Sequence, residues 1–70
     1  MKKQVKLDNK DYLIKDKIKL DNIYYYFLIN TNNINEVIIR KENKDKELVS
    51  IKDEEEFNKI MKLFLQRNAF

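Results

Sequence analysis

The chain contains no glycine, proline, cysteine, histidine or tryptophan. Without cysteine there is no disulfide framework and no thiolate zinc site. Without histidine the commonest general base and the commonest transition-metal ligand are missing. Besides the four tyrosines, hydroxyl nucleophiles are reduced to Ser50 and Thr31, and neither has an imidazole to activate it. Without glycine there is no phosphate-cradling P-loop and no dinucleotide fingerprint. Catalysis by carboxylates alone would need a pocket, and 70 residues leave little interior from which to build one. The expectation is a protein that is not an enzyme, with no catalytic residues, no metal, no cofactor and no small-molecule substrate.

Long apolar runs are lacking too. The longest, Ile23 to Ile29, has seven residues, against the ~20 needed to cross a bilayer. No apolar segment follows Met1-Lys2-Lys3, so no signal peptide is expected. These features predict a soluble, cytoplasmic protein that does not engage a membrane.

What is present is 43% hydrophobic and 39% charged, with a net charge of +3, and its length predicts one small domain over residues 1–70. Lys, Asn and Ile account for 13, 9 and 9 residues. All three have A/T-rich codons, which points to a low-GC bacterium or one of its phages or mobile elements.

Residues 3–51 read as strands and turns. Asp21-Asn22 lies between two apolar-rich runs, and Asn tolerates the positive φ of a two-residue hairpin loop. That loop sets Leu20 against Ile23, Ile18 against Tyr25, Asp16 against Phe27 and Ile14 against Ile29. On the opposite face it sets Lys19 by Tyr24, Lys17 by Tyr26 and Lys15 by Leu28. A second loop at Asn9-Lys10 pairs Leu7 with Tyr12 and Val5 with Ile14, which places those four residues on the face of Ile18 and Tyr25. Asn30 to Asn35 reads as a polar loop, Glu36 to Lys41 as a β-branched strand, Glu42 to Lys46 as a charged turn and Glu47 to Ile51 as a short last strand. With no glycine, every turn falls to Asn, Asp or Lys in left-handed or strained geometry.

A helix over 53–67 has a clear start. Asp53 is a good N-cap, Glu56 completes a capping-box pattern, and Glu54, Glu55 and Glu56 suit the positive end of the helix dipole. Phe57, Ile60, Met61, Phe64 and Leu65 form the apolar stripe, with Leu63 and Phe70 off it. The predicted fold is α+β: an antiparallel sheet of four to five strands, a hairpin meander, with one C-terminal helix packed on one face. That leaves Leu13, Tyr24, Tyr26 and Leu28 on the uncovered face. They call for a second copy, a partner or tight curling of the sheet.

Two interaction classes follow from that face. Leu13, Tyr24, Tyr26 and Leu28, rimmed by Lys15, Lys17 and Lys19, form a candidate surface for a protein partner or for self-association as a homodimer. The same lysines, with Lys6 nearby and with Tyr24 and Tyr26 to stack bases, form a candidate single-stranded nucleic-acid surface, which ranks second. Only two arginines are present to grip phosphates or read base edges. A plainer account is that the lysines guard an exposed strand and lay their stems over the tyrosine rings. The acidic run Asp53 to Glu56 has neither the alternating ligands nor the glycine turn of a calcium loop, and helix capping accounts for it.

The ending Leu48-Val49-Ser50-Ile51-Lys52-Asp53-Glu54-Glu55-Glu56-Phe57, together with Tyr25-Tyr26-Phe27-Leu28-Ile29-Asn30, resembles a group of short uncharacterised proteins of low-GC Gram-positive bacteria and their mobile elements. In these, strands precede an acidic cluster, Glu-Phe and a C-terminal helix. The resemblance implies no activity and no functional residues.

Overall fold

The computed structural model describes residues 4–68. It is an α+β fold of five strands and one helix: β1 (Gln4–Leu7), β2 (Lys10–Leu20), β3 (Ile23–Asn30), β4 (Asn33–Glu42), β5 (Leu48–Ser50) and α1 (Glu54–Arg67). The strands form one antiparallel sheet in chain order, each hydrogen-bonded to the next. The predicted ends at residue 3 and Phe70 lie outside the described residues.

The turns obey the backbone chemistry of Asp and Asn. Asp21 and Asn22 have φ of 53° and 64°, a type I′ hairpin loop, and Leu20 pairs with Ile23 as expected. The first loop is Asp8-Asn9, with φ of 51° and 63°, instead of Asn9-Lys10. Asp and Asn enter the left-handed region far more readily than Lys, so the loop takes both. Val5 therefore faces Tyr12 and Leu7 faces Lys10. The polar loop expected at 30–35 shrinks to Thr31-Asn32, because Asn30 Oδ1 accepts from Asn32 N at 2.8 Å and Thr31 N donates to the Asp11 carbonyl at 3.0 Å. β4 consequently starts at Asn33. In the last turn Lys46 takes φ of 63°, held by Asn43, whose Oδ1 accepts from Asp45 N and Glu47 N at 2.9 Å each.

One irregularity reorganises the sheet. The β2–β3 ladder runs regularly from Leu20/Ile23 to Asp16/Phe27, then shifts so that Ile14 faces Leu28 and Leu13 faces Ile29. Lys15 is the extra, unpaired residue of a β-bulge. Because side chains alternate with period two, one extra residue turns everything before it to the other face. The expected pairs Ile14–Ile29 and Lys15–Leu28 are not formed. Val5, Leu7, Tyr12 and Ile14 join Tyr26 and Leu28 instead of Ile18 and Tyr25. Leu13 and Lys6 move the opposite way, toward the helix side.

The helix face holds the main core. Tyr25, Phe27, Ile39, Ile60 and Phe64 are buried together, with Ile18, Leu20, Ile23, Ile51, Phe57, Met61 and Leu63 around them, and the Phe27 and Phe64 rings stack at 5.2 Å. Leu63, off the predicted stripe, packs here, whereas Leu65 is 56% exposed. α1 is capped at Asp53, whose Oδ2 accepts from Glu56 N at 3.3 Å. At the other end Arg67 Nε lies 2.7 Å from Asp16 Oδ2, and Asn68 Nδ2 reaches the same oxygen at 3.2 Å. Asp16 was the one charge on the predicted core face; it clamps the helix end to β2 beside the bulge.

The face without a helix has a smaller core of its own. Tyr12, Leu28 and Asn30 are buried there, Leu28 at 0% exposure. Val5 of β1 and Leu48 of β5 line one concavity of about 350 Å³, together with Ile14, Lys17, Tyr26, Glu42 and Lys46. In a flat sheet those outer strands would stand about 19 Å apart, four spacings of about 4.8 Å. They share a cavity because the sheet curls toward this side, and the bulge adds to its twist.

Candidate interaction surface

The predicted surface is only partly brought together. Lys17, Lys19, Tyr24 and Tyr26 do share the curled face. Lys17 Nζ sits 4.8 Å from the Tyr24 ring centre and 6.0 Å from that of Tyr26, and Lys19 Nζ sits 5.4 Å from Tyr24. The ammonium groups thus occupy the ring faces on which a base would stack. The Tyr26 hydroxyl donates to Glu42 Oε2 at 3.3 Å, which sets a carboxylate among the lysines. Leu13 is on the helix side and Leu28 is completely buried, so neither can touch a partner there. Lys15 is an exposed bulge residue.

Carboxylates placed against hydroxyls and cations tie the elements together. Tyr25 donates to Glu56 Oε2 at 2.5 Å, and Lys41 Nζ lies 3.1 and 3.2 Å from the two Glu56 oxygens. Tyr12 donates to Glu36 Oε2 at 2.7 Å, with Lys10 Nζ at 3.5 Å. The capping-box carboxylate of Glu56 is therefore spent on the sheet. Its hydrogen bond from Tyr25, with Lys41 beside it, holds it below the usual carboxylate range. The Tyr12 hydrogen bond does the same for Glu36, and the Arg67 guanidinium does so for Asp16. Burial pushes the Tyr25 phenol up to about 12, and the Glu56 hydrogen bond acts in the same direction. Among the described residues no group of three or more acidic side chains is placed to hold a metal ion.

These shifts set the pH dependence of stability. A lowered carboxylate pKa contributes stability above its unfolded value, about 4, and loses it as pH falls through the folded value. A raised tyrosine pKa contributes below about 10 and loses that contribution as pH climbs toward the folded value. Urea midpoints should be level from about pH 5 to pH 10 and fall on either side. Glu56→Gln should flatten part of the acid limb and Tyr25→Phe part of the alkaline one. Limbs unchanged in both variants would show that this pair carries no linkage.

The apolar surface left open lies elsewhere. Among the described residues, the exposed large hydrophobics are Ile34 at 76%, Val37 at 42% and Leu65 at 56%. Ile34 and Val37 are on β4, and Val37 and Leu65 line one groove of about 330 Å³ with Phe27, Ile39, Phe57 and Met61. β5 pairs only with Arg40–Glu42, so the groove runs beside β4 residues that have no strand outside them. Periodicity did not reveal this margin, since Val37 reads as part of the β-branched strand centre Val37-Ile38-Ile39 and Leu65 fits the helix stripe. No described helix is long and apolar enough to cross a membrane. Comparison with protein-family models, with curated proteins and with solved structures found no match.

Proposed function

We propose that this chain is a non-catalytic protein-interaction module that binds another protein or itself. The observation that carries this reading is that exposed Val37 of β4 and exposed Leu65 on the adjacent flank of α1 line one apolar groove with Phe57 and Met61. Its mechanism is occlusion or tethering. Its richness in Lys, Asn and Ile, residues with A/T-rich codons, and its resemblance to short low-GC Gram-positive proteins suit an accessory or regulatory protein of a phage or mobile element in the bacterial cytoplasm.

A peptide-display selection on the wild-type chain, with the Leu65→Lys and Val37→Lys variants as counter-selection, tests it. Enriched extended apolar sequences, or self-association, lost in the variants would support this reading. The absence of both a selected ligand and self-association would overturn it. The second reading, a nucleic-acid surface, rests on Lys17, Lys19, Tyr24 and Tyr26 sharing one face. It requires oligonucleotide binding whose log–log salt slope is roughly −2 to −4 for three or four phosphate contacts. Lys15, Lys17 and Lys19→Glu together should abolish that binding.

A further inference from the structure

The concavity on the face without a helix takes residues from every strand of the sheet and from the turn before β5. At about 350 Å³ it has the size of a small-molecule cleft, which starts at roughly 300 Å³, and the mouth of a curled sheet is a usual place for one. Its walls are apolar: Val5 and Ile14 on one side and Leu48 on the other, each half-buried although no helix covers them. Its polar groups are few. The Tyr26 hydroxyl and Glu42 are joined at 3.3 Å. Lys17 and Lys46 differ from them, because among the described residues neither ammonium makes an ion pair. Lys46 also has φ of 63°, in the left-handed region that Asn or Asp enters more readily than Lys. The turn around it is closed by Asn43 and by backbone groups, with Lys46 N donating to the Asn43 carbonyl at 2.9 Å. None of those bonds uses the lysine side chain. Strained backbone that local structure does not call for clusters at ligand sites.

We propose that this concavity binds a small organic monoanion, a carboxylate with an apolar body. The carboxylate is met by the Lys17 and Lys46 ammonium groups, and the body lies between the wall of Val5 and Ile14 and that of Leu48. Two ammonium groups and one carboxylate leave the cleft with a single net positive charge, which suits a monoanion. A phosphate dianion would be repelled by Glu42 and would find no guanidinium fork among the described lining residues. A neutral apolar molecule would leave both lysines unused. A small, strongly hydrated anion would leave the walls in water, where their apolar surface gains nothing. The site goes beyond the interaction reading. The groove of Val37 and Leu65 lies on the helix side of the sheet, with Phe27 and Phe57, so either site can fail without the other.

Titration of octanoate into the isotope-labelled full chain, followed by NMR, is the test. Saturable shifts at Val5, Ile14, Tyr26 and Leu48 are expected, with a Kd of about 1 mM or below. Acetate has the charge without the body, and octanol has the body without the charge. Each should bind at least about tenfold more weakly than octanoate. Lys46→Asn separates a role in binding from a role in folding. Asn suits φ of 63° better, so the melting temperature should not fall. The Kd for octanoate should nevertheless rise about tenfold, through loss of a charge-assisted contact. Octanol binding should not change in this variant. Lys17→Gln should weaken octanoate in the same direction. If Lys46→Asn loses the wild-type fold, Lys46→Gln replaces it. No saturation by about 10 mM, or shifts confined to the groove of Val37 and Leu65, overturns the proposal. So does an octanoate Kd unchanged in both lysine variants, or inorganic phosphate binding as tightly as octanoate.

Discussion

Replacing Phe64 with alanine is expected to remove about half of the protein's stability. Phe64 is fully buried and stacks on Phe27 at 5.2 Å with the rings 21° apart. It also joins α1 to the middle of the sheet, where Tyr25, Phe27 and Ile39 meet Ile60. A buried Phe→Ala change costs ~3 to 5 kcal/mol through lost burial and the cavity left behind. A domain of this size has roughly 4 to 10 kcal/mol in total, at ~0.05 to 0.15 per residue. The variant should therefore show a urea midpoint lowered by about half, with a shortened native baseline. A midpoint shift worth less than about 1 kcal/mol, the size of an ordinary surface substitution or less, would mean that the helix does not pack here.

Leu28→Ala is the second large effect, and it tests the curl of the sheet. No helix covers Leu28. On a flat sheet it would face solvent, and its truncation would change stability by no more than about 0.5 kcal/mol. In the curled sheet it has 0% exposure, so the expected loss is ~2 to 5 kcal/mol, as for any core leucine. The loss should come with altered resonances of Tyr12 and Tyr26, which share its face. A near-neutral Leu28→Ala would show a sheet open on this side. Tyr24 and Tyr26 would then be available to a partner after all.

The two results separate what is local from what is not. The Asp21-Asn22 loop, the N-cap at Asp53 and the apolar stripe of α1 follow from residues within a turn or two of one another, and they are legible in the sequence. So are the α+β class and the pairing from Leu20/Ile23 to Asp16/Phe27, because a two-residue loop dictates register outward from itself. Lys15 marks where that reasoning stops. A bulge leaves no mark in the alternation of residue types, yet one extra residue turned Val5, Tyr12 and Ile14 away from the helix and Leu13 toward it. It took Leu13 out of the predicted surface, and the curling buried Leu28.

The sequence by itself determined the elements, their order and most of their ends, since these depend on φ preferences, caps and periodicity over a few residues. Only the tertiary structure decided which face each N-terminal residue occupies and which sheet edges stay open. It also decided that Asp16 would meet Arg67, 51 residues away. Those outcomes depend on how far β1 and β5 extend along their neighbours and on how tightly the sheet curls. Both arise from contacts between residues distant in the chain, so no local pattern encodes them.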